Sequence, residues 1–357
     1  MVKRICIFTI SFAFNRQVML DFLEEIIPSE VEIFLFVSKE CKGKYTSKRI
    51  KIKESNYSKY LCFMDFRNFC KRNKIERVFS MGALPQEGFL MLFASLFKKM
   101  QIFCHMVVNP FLAYKTGLNS AAIKAFFEYL LLYPLVFFLD RYYVAVKDIT
   151  DYSKKRFSFA KHKIFFLQFP VDTIFFKPKD KMNSRKKLGL PLKSKIVLYV
   201  GRIEYEKGSD ILLSLSNLNK EILFLLIGQI GGKEFFNINK ENFKIISPQS
   251  KEVLLDYYNS ADLCLFPSRT EAGPSTARES LSCGTQVIVP DYMGPKTLSP
   301  PAIKSSLKIE ELNKKVNDFL KISEEDKKKI SLILRKKMVD DYSQKAWRGA
   351  YINALLK

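Results

Sequence analysis

None of the seven cysteines forms a C-x-x-C pair, so the zinc spacings that need one are missing. Most of the cysteines stand inside apolar runs, the setting of buried free thiols, which predicts a reducing compartment. No apolar run reaches the roughly 18–20 residues that cross a bilayer. The longest, Tyr129–Leu139, holds Pro134. The Gly-x-Gly-x-x-Gly order of dinucleotide folds is missing, as is the Gly-Lys-Ser/Thr end of a phosphate-cradling loop. There is no RNA-binding aromatic motif, no repeat of roughly 20–50 residues, and only two histidines. Acidic residues are scarce: 36 against 59 basic ones, a net charge of +23.

What is present suffices for two or three domains: 357 residues, 48% of them hydrophobic and 14% aromatic. The charge excess is uneven. Residues 1–200 carry 35 basic and 16 acidic side chains, residues 201–300 carry 10 and 12, and residues 301–357 carry 14 and 8. Such a field attracts polyanions or an anionic membrane surface, although part of it serves solubility. Lys3 and Arg4 ahead of the apolar run Ile5–Phe14 imitate a signal peptide, but no clear small-x-small site follows, and a first buried strand is expected there.

Short apolar runs alternate with helical patterns. Arg4–Thr9, Val31–Val37, Arg77–Met81, Gln101–Val107 and Tyr142–Val146 read as strands, with irregular excursions over Cys41–Lys53 and Phe111–Asn119. After the prolines and charges of Phe169–Asp180 a second series begins: Lys195–Val200, Ile222–Ile227, Phe243–Ile246, Leu263–Phe266 and Gln286–Val289. The pattern predicts an α/β chain of two doubly wound parallel halves, residues 1–175 and 176–340, and a terminal helix over 341–357 packing back towards the first half. Ser323 with Asp326 reads as a helix cap. Ligands of such sheets bind beyond the carboxyl ends of the strands.

Three segments sit at such ends. Tyr199-Val200-Gly201-Arg202, with Lys207-Gly208 following, puts a tight turn, a planar fork and a point charge into one loop, a combination suited to a diphosphate. Leu226-Ile227-Gly228 is a plain strand-to-turn step. The third, Phe266-Pro267-Ser268-Arg269-Thr270-Glu271-Ala272-Gly273-Pro274-Ser275-Thr276, leads a strand into a helix N-terminus whose free amides suit an anion. Glu279, eight residues beyond Glu271, can return to the same pocket and accept hydrogen bonds from a diol such as a ribose.

These segments resemble glycosyltransferase family 4, whose signature has two glutamates with seven residues between them, the first in a Pro-Ser-x-x-Glu-Gly-x-Pro pattern and the second in the helix that follows. The likeness extends to Val200-Gly201-Arg202, Lys207-Gly208, Leu226-Ile227-Gly228, the linker Phe169-Pro170-Val171-Asp172-Thr173, and Asp140–Val146. It covers about residues 140–300. The resemblance implies a GT-B fold, two Rossmann-like domains facing across a cleft, and transfer of a sugar from a nucleotide-sugar donor with retention and without metal or other cofactor. By motif position, Gly201, Arg202 and Lys207 would meet the donor diphosphate and Glu279 the ribose. Glu271 with the amides of Gly273, Pro274, Ser275 and Thr276 would meet the sugar and phosphate, and Pro248 the base. His105, near the end of its strand, would lie by the transferred sugar, making His105 and Glu271 the expected catalytic pair.

This chain departs from the pattern after its first strand, where Ser11-Phe12-Ala13-Phe14-Asn15-Arg16 has no glycine and Arg16 stands as a substitute, and in the linker, where Phe169-Pro170 replaces Asn-Gly. Basic charge beside the clusters Phe89–Phe97 and Phe126–Leu139 adds an expectation of peripheral attachment to the cytoplasmic leaflet, with a glycan or lipid-linked acceptor of the cell envelope. No nucleic-acid partner is expected. A GT-B sugar-nucleotide epimerase and a basic membrane- or polyanion-binding protein are the rival readings.

Overall fold

The computed structural model describes residues 4–10, 14–58, 61–80, 86–95, 101–106, 130–236, 238, 240–269, 271, 273–293 and 302–357. The chain forms two compact units: Met1–Phe169 together with Trp347–Lys357, and Pro170–Ala346. Each has an all-parallel sheet. The first comprises β1 (Arg4–Thr9), β2 (Glu32–Val37), β3 (Lys51–Glu54), β4 (Arg77–Ser80), β5 (Gln101–Met106), β6 (Arg141–Val144) and β7 (Ile164–Phe166), in the order β3-β2-β1-β4-β5-β6-β7. The second comprises β8 (Lys195–Val200), β9 (Ile222–Ile227), β10 (Phe243–Ile246), β11 (Leu263–Leu265), β12 (Val287–Pro290) and β13 (Ile303–Ser305), in the order β10-β9-β8-β11-β12-β13.

Central strands such as Ile222–Ile227 are buried at every residue, so their apolar runs are continuous rather than alternating, and the run length marks the strand. Three strands are absent from the sequence reading: β3, inside the stretch expected to be irregular, β7 and β13. All three are edges of their sheets, and β3, Lys-Ile-Lys-Glu, alternates between exposed and half-buried positions, as a charged edge strand does. Phe111–Asn119 lies outside the described residues. Among the described residues no helix is long and apolar enough to cross a membrane.

The unit boundaries fall at 170 and 347 rather than 175 and 340. Val171 N donates to Tyr342 O at 2.8 Å and Gln344 N donates to Val171 O at 3.2 Å. Arg335 donates to Thr173 O at 2.7 Å and to Phe176 O at 2.9 Å. Backbone hydrogen bonding thus ties the linker to the second unit. Trp347–Lys357 belongs to the first unit, where Tyr351, Ala354 and Leu355 join the core of β1, β2 and the helix Phe14–Ile26. Arg77 ends the terminal helix Gln344–Leu356 by donating to Leu355 O and to Lys357 O just beyond it, each at 3.0 Å, where backbone oxygens have no partner within the helix. Ser323 caps Glu324–Tyr342 by accepting from Asp326 N at 3.1 Å.

Candidate active site

In both sheets the strand order reverses beside the first strand, between β1 and β4 and between β8 and β11. Loops leaving adjacent strands in opposite senses open a crevice there, the usual ligand position of open α/β sheets.

At the reversal of the second sheet, the loop after β8 is held from two sides. Gly201 N donates to Ile227 O at 3.0 Å and Ile203 N donates to Gln229 O at 2.9 Å, so the segments following β8 and β9 run on together beyond the sheet. Gly228 allows this closeness, since a Cβ there would stand 1.8 Å from Gly201 O. Gly208 has φ +75°, and a Cβ would stand 2.1 Å from Pro267 O, so only glycine brings the β8 loop against the start of the β11 loop. Arg269 completes the join: its guanidinium forks onto Asp210 with two 2.8 Å bonds and lies 3.6 Å from the centroid of the Tyr205 ring.

That join carries Lys207 to Glu271. Lys207 Nζ lies 2.8 Å from Glu271 Oε2, with the side chains 19% and 20% exposed, so the pair is partly desolvated yet open to a ligand. Arg202 projects outward at 65% exposure, its Nη1 2.9 Å from each carboxylate oxygen of Glu204. The Tyr199 hydroxyl donates to Arg202 O at 2.7 Å. Burial pushes the Tyr199 hydroxyl well above its ordinary pKa, and the negative charges of Glu271 and Glu204 push it further. Tyr292, raised by burial and by Glu271, donates to Ser268 O at 2.7 Å and steadies the second loop.

Glu279 lies in the helix Ser275–Ser282 and accepts from Tyr258 at 2.8 Å. Burial raises its carboxyl pKa, while the Tyr258 hydroxyl and Arg278 oppose the rise. Pro274 precedes this helix, and no side chain caps it. Gly273, Pro274, Ser275 and Thr276 are half-buried, and Pro248 is exposed just beyond β10.

The structure therefore pairs Lys207 with Glu271 directly and ties the Arg202 backbone to Tyr199. Glu279 is anchored separately by Tyr258. His105 belongs to the first unit, in register with Tyr143 near the end of β5. Ser11–Ala13 lie outside the described residues, and Arg16 belongs to the helix Phe14–Ile26.

Several partners carry no local signal in the sequence: Tyr258, Asp210, Tyr292 and Glu87. Glu87 is fully buried at the reversal of the first sheet. It accepts from Thr9 Oγ1 and Ile10 N at 3.0 Å and from Ser80 Oγ at 2.6 Å, fastening the ends of β1 and β4 together. Acceptor and donors lie more than 70 residues apart for Thr9 and Ile10, so no spacing rule finds them.

Residues 180–333 match the family model described as glycosyl transferases group 1. Among curated relatives, the D-inositol 3-phosphate glycosyltransferase of Mycolicibacterium vanbaalenii is 30% identical over 138 residues, covering 33% of this chain and 31% of the relative. That of Xylanimonas cellulosilytica is 29% identical over 125 residues, covering 32% and 30%. The chain thus spans about a third of the length of these relatives. Among solved structures, sucrose-phosphate synthase from Thermosynechococcus elongatus superposes with TM-score 0.82 at 14% identity, covering 99% of this chain and 98% of that one. Anabaena HepE in complex with UDP and glucose superposes with TM-score 0.77 at 12% identity, covering 99% of each. Full-length likeness at such low identity establishes the fold, and the shorter sequence match falls on the unit that holds Arg202, Lys207, Glu271 and Glu279: the chain has the GT-B fold, and its residues 180–333 are similar to the glycosyl transferases group 1 family.

Proposed function

We propose that this protein is a retaining, metal-independent glycosyltransferase that moves a sugar from a nucleotide-sugar donor to a glycan or lipid-linked acceptor in cell-envelope polysaccharide, lipopolysaccharide or glycoconjugate synthesis, working at the cytoplasmic face of the membrane. The observation that carries the reading is the Lys207–Glu271 pair at the strand reversal of the unit that matches group 1. HepE, of the same fold, is seen with UDP and glucose, which supports a nucleotide-sugar donor.

In this reading the acceptor hydroxyl oxygen bonds to the anomeric carbon as the bond from that carbon to the diphosphate oxygen breaks. The electron pair leaves with the diphosphate, and the hydroxyl proton goes with it or to solvent. Charge builds on the leaving oxygens, where Lys207 and Arg202 act most strongly, being positioned before the reaction. Glu271 orients the Lys207 ammonium and, with the amides of Ser275 and Thr276, borders the sugar and its phosphate. Glu279 accepts from the ribose hydroxyls, and Pro248 lies by the base.

The test is a thermal-shift series with UDP, GDP, ADP and their common sugars, with and without EDTA. One nucleotide family should stabilise the protein, by about 2.7 kcal/mol at a hundredfold excess over Kd, indifferent to EDTA. Absence of any shift refutes donor binding, and loss of the shift in EDTA refutes metal independence. Nucleotide release that needs no acceptor and returns an epimerised sugar would assign the site to an epimerase.

A further inference from the structure

In the first unit, helical residues 130–138 bury Leu132, Leu135 and Val136 and turn Leu130, Leu131, Phe137 and Phe138 outward. A helix on a soluble surface shows polar residues on that side. Here the outward side is apolar along two turns, with Phe137 59% and Phe138 64% exposed. The ring of Phe159, itself 48% exposed, lies 6.3 Å from that of Phe137, and Phe137 and Phe138 meet edge to face at 5.2 Å. Three aromatic rings from two chain segments thus form one protruding patch.

Its rim is cationic. Lys163 Nζ donates to Phe137 O at 2.9 Å, and the Arg156 guanidinium lies 5.5 Å from the centroid of the Tyr133 ring, which in turn packs on Phe157 and Phe159. Lys154 and Lys155, in the helix Lys147–Arg156 that also carries Arg156, and Lys161, two residues beyond Phe159, are exposed. Apolar rings with lysine and arginine beside them match a lipid surface: the rings enter the acyl boundary while the cations meet anionic headgroups. A second copy of the chain fits poorly, because two such rims would repel.

We infer that Phe137, Phe138 and Phe159, with the surrounding Lys154, Lys155, Arg156, Lys161 and Lys163, dock the first unit onto an anionic bilayer. The inference deepens the proposed membrane-side function and rests on that reading for its purpose, but it concerns a surface of the first unit and no donor-binding residue.

The experiment is co-sedimentation of the full chain with vesicles of phosphatidylcholine alone or with phosphatidylglycerol added. The chain should bind the anionic vesicles, bind the neutral ones weakly, and be released by high salt. Phe137→Ser/Phe138→Ser should lower the partition coefficient about tenfold or more. Lys154→Ala/Lys155→Ala should lower it about 25-fold, at ~fivefold per cation. Both pairs are exposed, so each variant should keep the wild-type Tm and its stabilisation by nucleotide. Unchanged vesicle binding in the two variants overturns the patch while leaving membrane attachment standing. Failure of the wild type to bind anionic vesicles, with nucleotide stabilisation intact, overturns both the patch and attachment without touching sugar transfer. Retention on soluble polyglutamate without vesicle binding overturns the lipid assignment in favour of an acidic protein.

Discussion

Replacing Lys207 by methionine keeps an unbranched side chain of similar length and removes only the charge, which separates the ion's chemical role from its structural one. On the chemical side, losing one preorganised partner of the charge that develops on the diphosphate costs ~3–4 kcal/mol, or about 10²–10³ in turnover. Structurally, the variant leaves Glu271 without the cation 2.8 Å away. Breaking a fully buried pair costs about 3–5 kcal/mol and an exposed one about 0.2–1. With both side chains about one-fifth exposed, solvent screens much of the loss, and about 1 kcal/mol is expected. For a unit the size of Pro170–Ala346 that lowers Tm by ~2–4 °C. The assay is release of nucleoside diphosphate from the sugar nucleotide that stabilises the protein, beside a melting curve. Lys207→Met should turn over about 10²–10³ times more slowly, with only that small Tm loss. Lys207→Met/Glu271→Gln should regain most of the Tm and none of the rate. A rate loss below about tenfold, or a double variant that regains its rate, would refute the assignment of Lys207 to the leaving diphosphate.

Glu279 supplies a pH test. Burial holds its carboxyl above the ordinary range, and a diol needs the carboxylate form, so nucleotide affinity by titration calorimetry should strengthen as pH rises through the weakly acidic range. Tyr258→Phe removes a hydrogen bond to the charged form and should move that rise to higher pH; a flat profile sinks the ribose role. The same raised pKa makes the Glu279 contribution to folding full below its unfolded-state pKa and lost as pH climbs to the folded one. Tyr351→Ala, at a fully buried ring packed edge to face on Phe22 at 5.3 Å, should cost about 3–5 kcal/mol. The single tryptophan, Trp347, lies edge to face on Phe166 at 5.2 Å, so its fluorescence during denaturant unfolding reads the first unit, and an unshifted midpoint would refute the packing role.

Most strands legible in the sequence are covered on both faces, because a run such as Ile222–Ile227 has no polar position to break it, while the edge strand β10 is legible despite its exposed Lys244. Edge strands β3, β7 and β13 escaped because one side of each faces no neighbour, so their composition follows solvent as much as the sheet. Within the site, Lys207 and Glu271 were readable as members of separate motifs, but the two lie 64 residues apart and their pairing depends on Gly208 and Arg269 closing their loops together. Tyr258 was not readable at all: it meets Glu279 only because its helix packs beside Ser275–Ser282, a consequence of topology that spacing cannot carry.

The membership of Trp347–Lys357 in the first unit also sets an order of events during synthesis. Residues 4–169 emerge from the ribosome with the surface that receives Tyr351 and Leu355 still bare, and Arg77 still without the two carbonyls it ends on. Elongation through residues 170–346 takes roughly 10–35 s at 5–20 residues per second, time enough for the second unit to fold on its own contacts. The half made first is then the half completed last, and through that interval its apolar seam is what a ribosome-associated chaperone would find.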